Sequence, residues 1–182
     1  MNQTRVLLAI SFILSFSSPG CLANQIKPST GMDASTRAKR IYTDLKEANF
    51  LFPPENSTAS EIAAFENKSE KVVDALEQLK NSKNKEAEVE AIKKVSSEMQ
   101  STGYLADVIF YTERDGARVK YQQITEEDVK NVSRLTNSSE PYNLPIGTYR
   151  MWTERNGEVT SPKEEFDIFS PYVEVGFEEQ LP

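Results

Sequence analysis

The order of apolar and polar positions divides the chain into three stretches. A charge-free and mostly apolar run from Val6 to Phe16 follows Arg5, and small or turn-forming residues then continue from Ser17 through Ala23. A charged start, an apolar run too short to cross a bilayer as a helix, and a small-residue cleavage region predict a signal peptide over 1–23. Between 33 and 103 the apolar residues recur at helical spacing, and from 104 onward they alternate.

In the middle stretch, Ala38, Ile41, Tyr42, Leu45 and Ala48 predict a first helix that begins at Asp33 or Ser35 and is ended by Pro53 and Pro54. Thr58-Ala-Ser-Glu61 has the capping-box pattern, and Ile62, Phe65, Ser69, Val72, Leu76 and Leu79 follow at gaps alternating three and four. Val89, Ile92, Val95 and Met99 carry a third helix to Gly103, which serves as its C-cap. The expected unit over 33–103 is a helical hairpin or three-helix packing unit with solvated Lys and Glu faces. Residues 24–32 read as a polar tether.

In the last stretch, Tyr104 to Thr112 and Ala117 to Gln123 flank Asp115-Gly116, and Thr148 to Arg155 leads into Asn156-Gly157. Asp-Gly and Asn-Gly favour two-residue hairpins, because both central residues of that turn need positive φ. If Asp115-Gly116 is such a loop, Glu113 faces Arg118, Tyr111 faces Lys120 and Phe110 faces Tyr121. Further strands are expected at 165–169 and 172–177, and the polar stretch 124–143 reads as a long loop. Alternation puts Ala106, Val108, Phe110, Val119 and Tyr121 on a core face, with Leu105, Ile109, Tyr111 and Glu113 on the other. Tyr149 and Met151 point inward, with Trp152 and Glu154 opposite.

Tyr111-Thr-Glu-Arg-Asp-Gly116 recurs as Trp152-Thr-Glu-Arg-Asn-Gly157. Each copy sets an aromatic beside a carboxylate, so Tyr111, Glu113, Trp152 and Glu154 are the candidate ligand-binding residues. A flat ring beside an acceptor suits stacking on a sugar with hydrogen bonds to its hydroxyls. The competing expectation is structural: Leu105, Ile109 and Tyr111 form an apolar row that the helical unit would cover, and Trp152 would be covered with it.

Composition narrows the chemistry. The sequence has no His and one Cys, which lies at the end of the leader. Imidazole bases, thiol nucleophiles and Cys/His zinc sites are therefore not expected beyond it. Cys21 is the candidate lipid anchor if cleavage falls just before it. The alternative is simple secretion, with the mature chain starting at Cys21 or Asn24. A formal net charge of −7 opposes binding to nucleic acid and to anionic lipid headgroups, so membrane contact is expected only through an N-terminal lipid. The scarcity of cysteine favours a bacterial envelope over a disulfide-rich secretome. The acidic groups at 126–128, 164–167 and 178–179 lack a calcium-loop spacing and read as solvated surface. No catalytic residue, metal or cofactor is expected.

Arg114-Asp-Gly-Ala-Arg-Val119, Leu144-Pro-Ile-Gly-Thr-Tyr-Arg-Met151, Arg155-Asn-Gly157 and Val173-Glu-Val175 together resemble the layout of PEGA-type and carboxypeptidase-regulatory-like sandwich modules over about 107–178. The resemblance implies a small antiparallel β-sandwich that binds or spaces and is not an enzyme. The expected protein is α+β: signal peptide 1–23, tether 24–32, helical region 33–103 and β-sandwich 104–182. Its expected role is a non-catalytic exported envelope module whose partner is another envelope protein or a glycan. The alternative is a carbohydrate- or peptidoglycan-binding accessory module using its outward aromatics, and a carboxylate-based hydrolase is a distant third.

Overall fold

Three side chains start the three helices. Asp33 accepts from Thr36 N at 2.9 Å ahead of α1 (Ala34–Glu47). Thr58 and Glu61 close a reciprocal capping box ahead of α2 (Ala59–Lys80), with Thr58 N donating to Glu61 Oε2 at 2.7 Å. Asn84 accepts from Ala87 N ahead of α3 (Lys85–Gln100). Each cap satisfies a first-turn donor that the helix itself leaves open. The apolar stripes then bury Ile41 and Leu45 of α1, Val72, Leu76 and Leu79 of α2, and Ile92, Val95 and Met99 of α3. α2 packs against both α1 and α3, and α3 reaches the sheets.

These details come from a computed structural model that describes residues 24–53 and 55–180. Residues 1–23, which hold the expected signal peptide and Cys21, lie outside the described residues. The chain is α+β, with the helices preceding most of the strands. The strands are β1 (Asn24–Ile26), β2 (Leu105–Thr112), β3 (Arg118–Gln123), β4 (Val129–Leu135), β5 (Tyr142–Pro145), β6 (Gly147–Arg155), β7 (Glu158–Val159), β8 (Glu164–Ile168) and β9 (Tyr172–Phe177). The first sheet has the order β1-β9-β2-β5. The second has the order β4-β3-β6-β7, with β8 also paired to β6. Pairing is mostly antiparallel, and the two parallel pairs are both made by β9, with β1 and with β2.

The sheets face each other across a dry core. Phe166 of β8 meets Phe177 of β9 edge-on at 5.7 Å, and Tyr121 of β3 meets Tyr142 of β5 at 6.4 Å. Ala106, Val108, Phe110, Val119, Tyr121, Tyr149 and Met151 are all buried, as their alternation predicts.

Four expectations are corrected by the pairing. The first concerns Asp115-Gly116, which does not close a hairpin: β2 pairs with β5 and β9, whereas β3 pairs with β4 and β6. Tyr111 therefore faces Gly176 and Lys120 faces Trp152. Of the two Gly-ended loops, only Asn156-Gly157 has positive φ at both residues, 53° and 86°, and it does join β6 to β7. At the other loop only Gly116 is positive. There the chain crosses between sheets, held by Asn137 Nδ2 donating to Asp115 Oδ1 at 2.6 Å and by Arg155 donating to the Arg114 and Asp115 carbonyls.

The second correction is to the tether. β1 adds to the open edge of β9, Ser29 N donates to the Glu165 carbonyl at 2.7 Å, and Glu165 N donates to Thr30 Oγ1 at 2.8 Å. The backbone of 24–32 finds partners in the sheets, which a solvated tether would lack. The third is the stretch 124–143. It contains the edge strand β4 and the start of β5; β4 pairs on one side only, so a polar sequence suffices there. The fourth concerns the helices. They lie against the second sheet, where Thr148 N donates to Ser96 Oγ of α3 at 3.1 Å. The face carrying Leu105, Ile109 and Tyr111 belongs to the first sheet, and no helix of the described residues covers it.

Candidate binding surface

Behind the second sheet lies the most heavily bonded group of side chains. Arg37 of α1 is completely buried. Its Nε and Nη2 donate to Asp167 at 2.9 and 2.7 Å, and its Nη1 donates to Glu88 and Glu165 at 3.0 Å each. Arg40 and Thr148 donate to Asp167 as well, each at 2.8 Å. Burial opposes the charged form of Asp167, but the bonds from Arg37, Arg40 and Thr148 outweigh it and hold the carboxyl below its ordinary range. The array ties α1, α3 and β8 together, so its carboxylates act as counter-ions for Arg37.

The acidic group at 164–167 is thus not solvated surface, since Glu165 and Asp167 are buried. A signal for this was present in the sequence. Arg37 stands four positions before Ile41 and Glu88 four before Ile92, so both occupy the buried stripes of their helices, where opposite charges require each other.

The four candidate ligand residues do not form one site, because β2 and β6 lie in different sheets whose outer faces point apart. Trp152 is buried at 4% exposure. Its Nε1 donates to Glu154 Oε1 at 3.1 Å, and Lys163 Nζ stands 4.4 Å above the ring. The indole bond, reinforced by Lys120, holds Glu154 below its ordinary value. This pair is packing on the helix-side sheet.

Tyr111 and Glu113 are different. Leu105 is 54% exposed and Tyr111 38%, on the outer face of the first sheet. Partial burial and then the neighbouring Glu174 carboxylate push the Tyr111 phenol above its usual value. Directly across from Tyr111 stands Gly176. With no side chain there, the surface dips into a depression of about 660 Å³ whose walls include Gln25, Lys27, Glu113 and Glu178.

No family model, curated protein or solved structure matches the chain. The geometry therefore carries the functional argument alone. A buried ionic array clamps the helices to one sheet, and the other sheet presents Leu105 and Tyr111 to solvent, with Asp107 and half-buried Ile109 between them.

Proposed function

We propose that the chain is a non-catalytic, exported bacterial envelope protein that acts as a binding module through the outer face of its first sheet. The outer face of β2, where exposed Leu105 and Tyr111 flank Asp107 and half-buried Ile109, carries this reading. The helices cover the opposite sheet, while Leu105 and Tyr111 remain exposed beside a depression. Export rests on the leader at 1–23, and attachment to a membrane on Cys21. The PEGA-type resemblance of 107–178 belongs to the same proposal. The non-catalytic reading is supported by the absence of His, by a single Cys placed in the leader, and by Arg37 holding Glu88, Glu165 and Asp167 as counter-ions.

The test combines processing with retention. Intact-mass analysis of the chain expressed in a bacterial host is expected to show an N-terminus at Cys21 or Asn24, and a lipid adduct identifies Cys21 as the anchor. The double substitution Leu105→Asp and Ile109→Asp is expected to leave the melting temperature within a few degrees while abolishing retention on purified peptidoglycan sacculi. Unchanged retention would show that the open face is not the binding surface.

A further inference from the structure

We infer that the depression between Tyr111 and Gly176 binds a ring of a neutral glycan, the strand of sugars running along β2. The inference rests on the proposed binding role of this face and names its ligand class.

Three observations lead there. The first is shape. Tyr111 is partly exposed and its directly opposed neighbour on β9 is glycine, so a flat object can lie against the ring on that side, while Glu174 of the same strand stands at its hydroxyl. A Cβ at Gly176 would have only Gln25 Nε2, at 3.5 Å, as its near neighbour. The depression is therefore open where a sugar would enter.

The second is the kind of group around the ring. Gln25 supplies an amide with both donors and an acceptor, Lys27 a donor, and Glu113 and Glu178 acceptors. Sugar hydroxyls donate and accept, and the rings have an apolar face, so an aromatic platform with a mixed polar rim matches both aspects. An apolar protein partner would leave those rim groups unpaired on burial, a cost that a hydroxyl-bearing ligand avoids.

The third is charge. Glu113, Glu174 and Glu178 border Tyr111 within a chain of net charge −7. Among the described residues, Lys27 is the one cation on the wall of the depression. An anionic polysaccharide or a nucleic acid would be repelled, and a neutral sugar would not. Along β2 the outward positions Leu105, Asp107, Ile109 and Tyr111 share one face, and on β9 Tyr172 stands beside Asp107, Glu174 beside Ile109 and Gly176 beside Tyr111. An extended chain of rings can follow that line, with apolar faces on Leu105, Ile109 and Tyr111 and hydroxyl edges toward Asp107 and Glu174.

The test uses the processed chain titrated calorimetrically with chitohexaose and cellohexaose as neutral probes, and with oligogalacturonate as the anionic one. Binding of at least one neutral hexamer and none of the oligogalacturonate is expected. Tyr111→Ala should weaken that binding at least tenfold with little change in melting temperature. Gly176→Val, which fills the depression beside the ring, should weaken it similarly and keeps the test valid if the first variant folds poorly.

Failure to bind either neutral hexamer overturns the inference, as does undiminished binding by both variants. Concentration-dependent dimerisation that Tyr111→Ala abolishes, with no sugar bound, would show that a second copy covers the face instead. Loss of sacculus retention in the Leu105 and Ile109 double variant, combined with no sugar binding, would leave the binding module standing and remove only its sugar ligand.

Discussion

Arg37 and Asp167 are each completely or almost completely out of water, and each satisfies the other with paired bonds at 2.9 and 2.7 Å. Replacing the Asp167 carboxylate takes the charged acceptor from Nε and Nη2 of a buried guanidinium and leaves it the Nη1 bonds to Glu88 and Glu165. Asp167→Asn is therefore expected to lower stability by about 3–5 kcal/mol in a urea titration, whereas Glu113→Gln on the open face should change it by no more than about 0.5 kcal/mol. Asp44 shows the opposite economy of charge. Burial, only partly offset by Arg40, pushes its carboxyl up to about 6. The folded chain thus holds that proton more tightly than the unfolded one, whose carboxyl titrates near pH 4. Ionised Asp44 destabilises the fold above about pH 6, and the penalty fades as pH falls toward about 4. Asp44→Asn is expected to gain on the order of 1–2 kcal/mol at pH 8 and nothing at pH 4, as followed by chemical denaturation at the two pH values.

Two nearly identical six-residue segments take different courses at the level of elements. Trp152 to Gly157 turns back as a hairpin, with Asn156 and Gly157 both at positive φ. Tyr111 to Gly116 crosses between sheets, with Asp115 held by Asn137 and by Arg155. The local sequence permits both outcomes, and partners distant in sequence select between them. Because the space around Gly157 is open, Gly157→Val tests backbone strain alone and is expected to cost about 1–2 kcal/mol. Leu76→Ala tests packing: Leu76 is 5% exposed on the stripe of α2, and its truncation should cost about 2–5 kcal/mol by urea denaturation. A change below about 0.5 kcal/mol would mean that the stripe is a surface rather than a core.

For the molecule as a whole, β1 completes the first sheet. A chain beginning at Asn24 keeps this strand, and one beginning at Lys27 lacks it. Without β1, the edge of β9 is unpaired, and alternating strands with free edges pair with other chains. The shorter chain is expected to melt lower and to associate with concentration in sedimentation, while the chain from Asn24 stays unchanged. Equal melting temperatures would show that β1 contributes little to the sheet. The proposed binding face depends on the same strand, because Gln25 borders the depression at Tyr111.

What was legible in the sequence was the local part. Helix caps act within three residues, and helical stripes and strand alternation are set by backbone geometry, so Asp33, Thr58 and the buried set from Ala106 to Met151 could be named from their spacing alone, whereas the Asn84 cap was not named. Strand partners were not legible, because antiparallel and crossover connections place the same alternating residues on the same two faces. Only tertiary structure decided that β2 joins β9 and β5, that β1 is a strand, and that the helices cover the second sheet. That choice parted Tyr111 from Trp152, burying one aromatic and exposing the other. The physical reason lies in long-range pairing: each choice of partners sets which outer face meets the helices, and Arg37 reaches Asp167 across 130 residues of sequence only in the arrangement adopted.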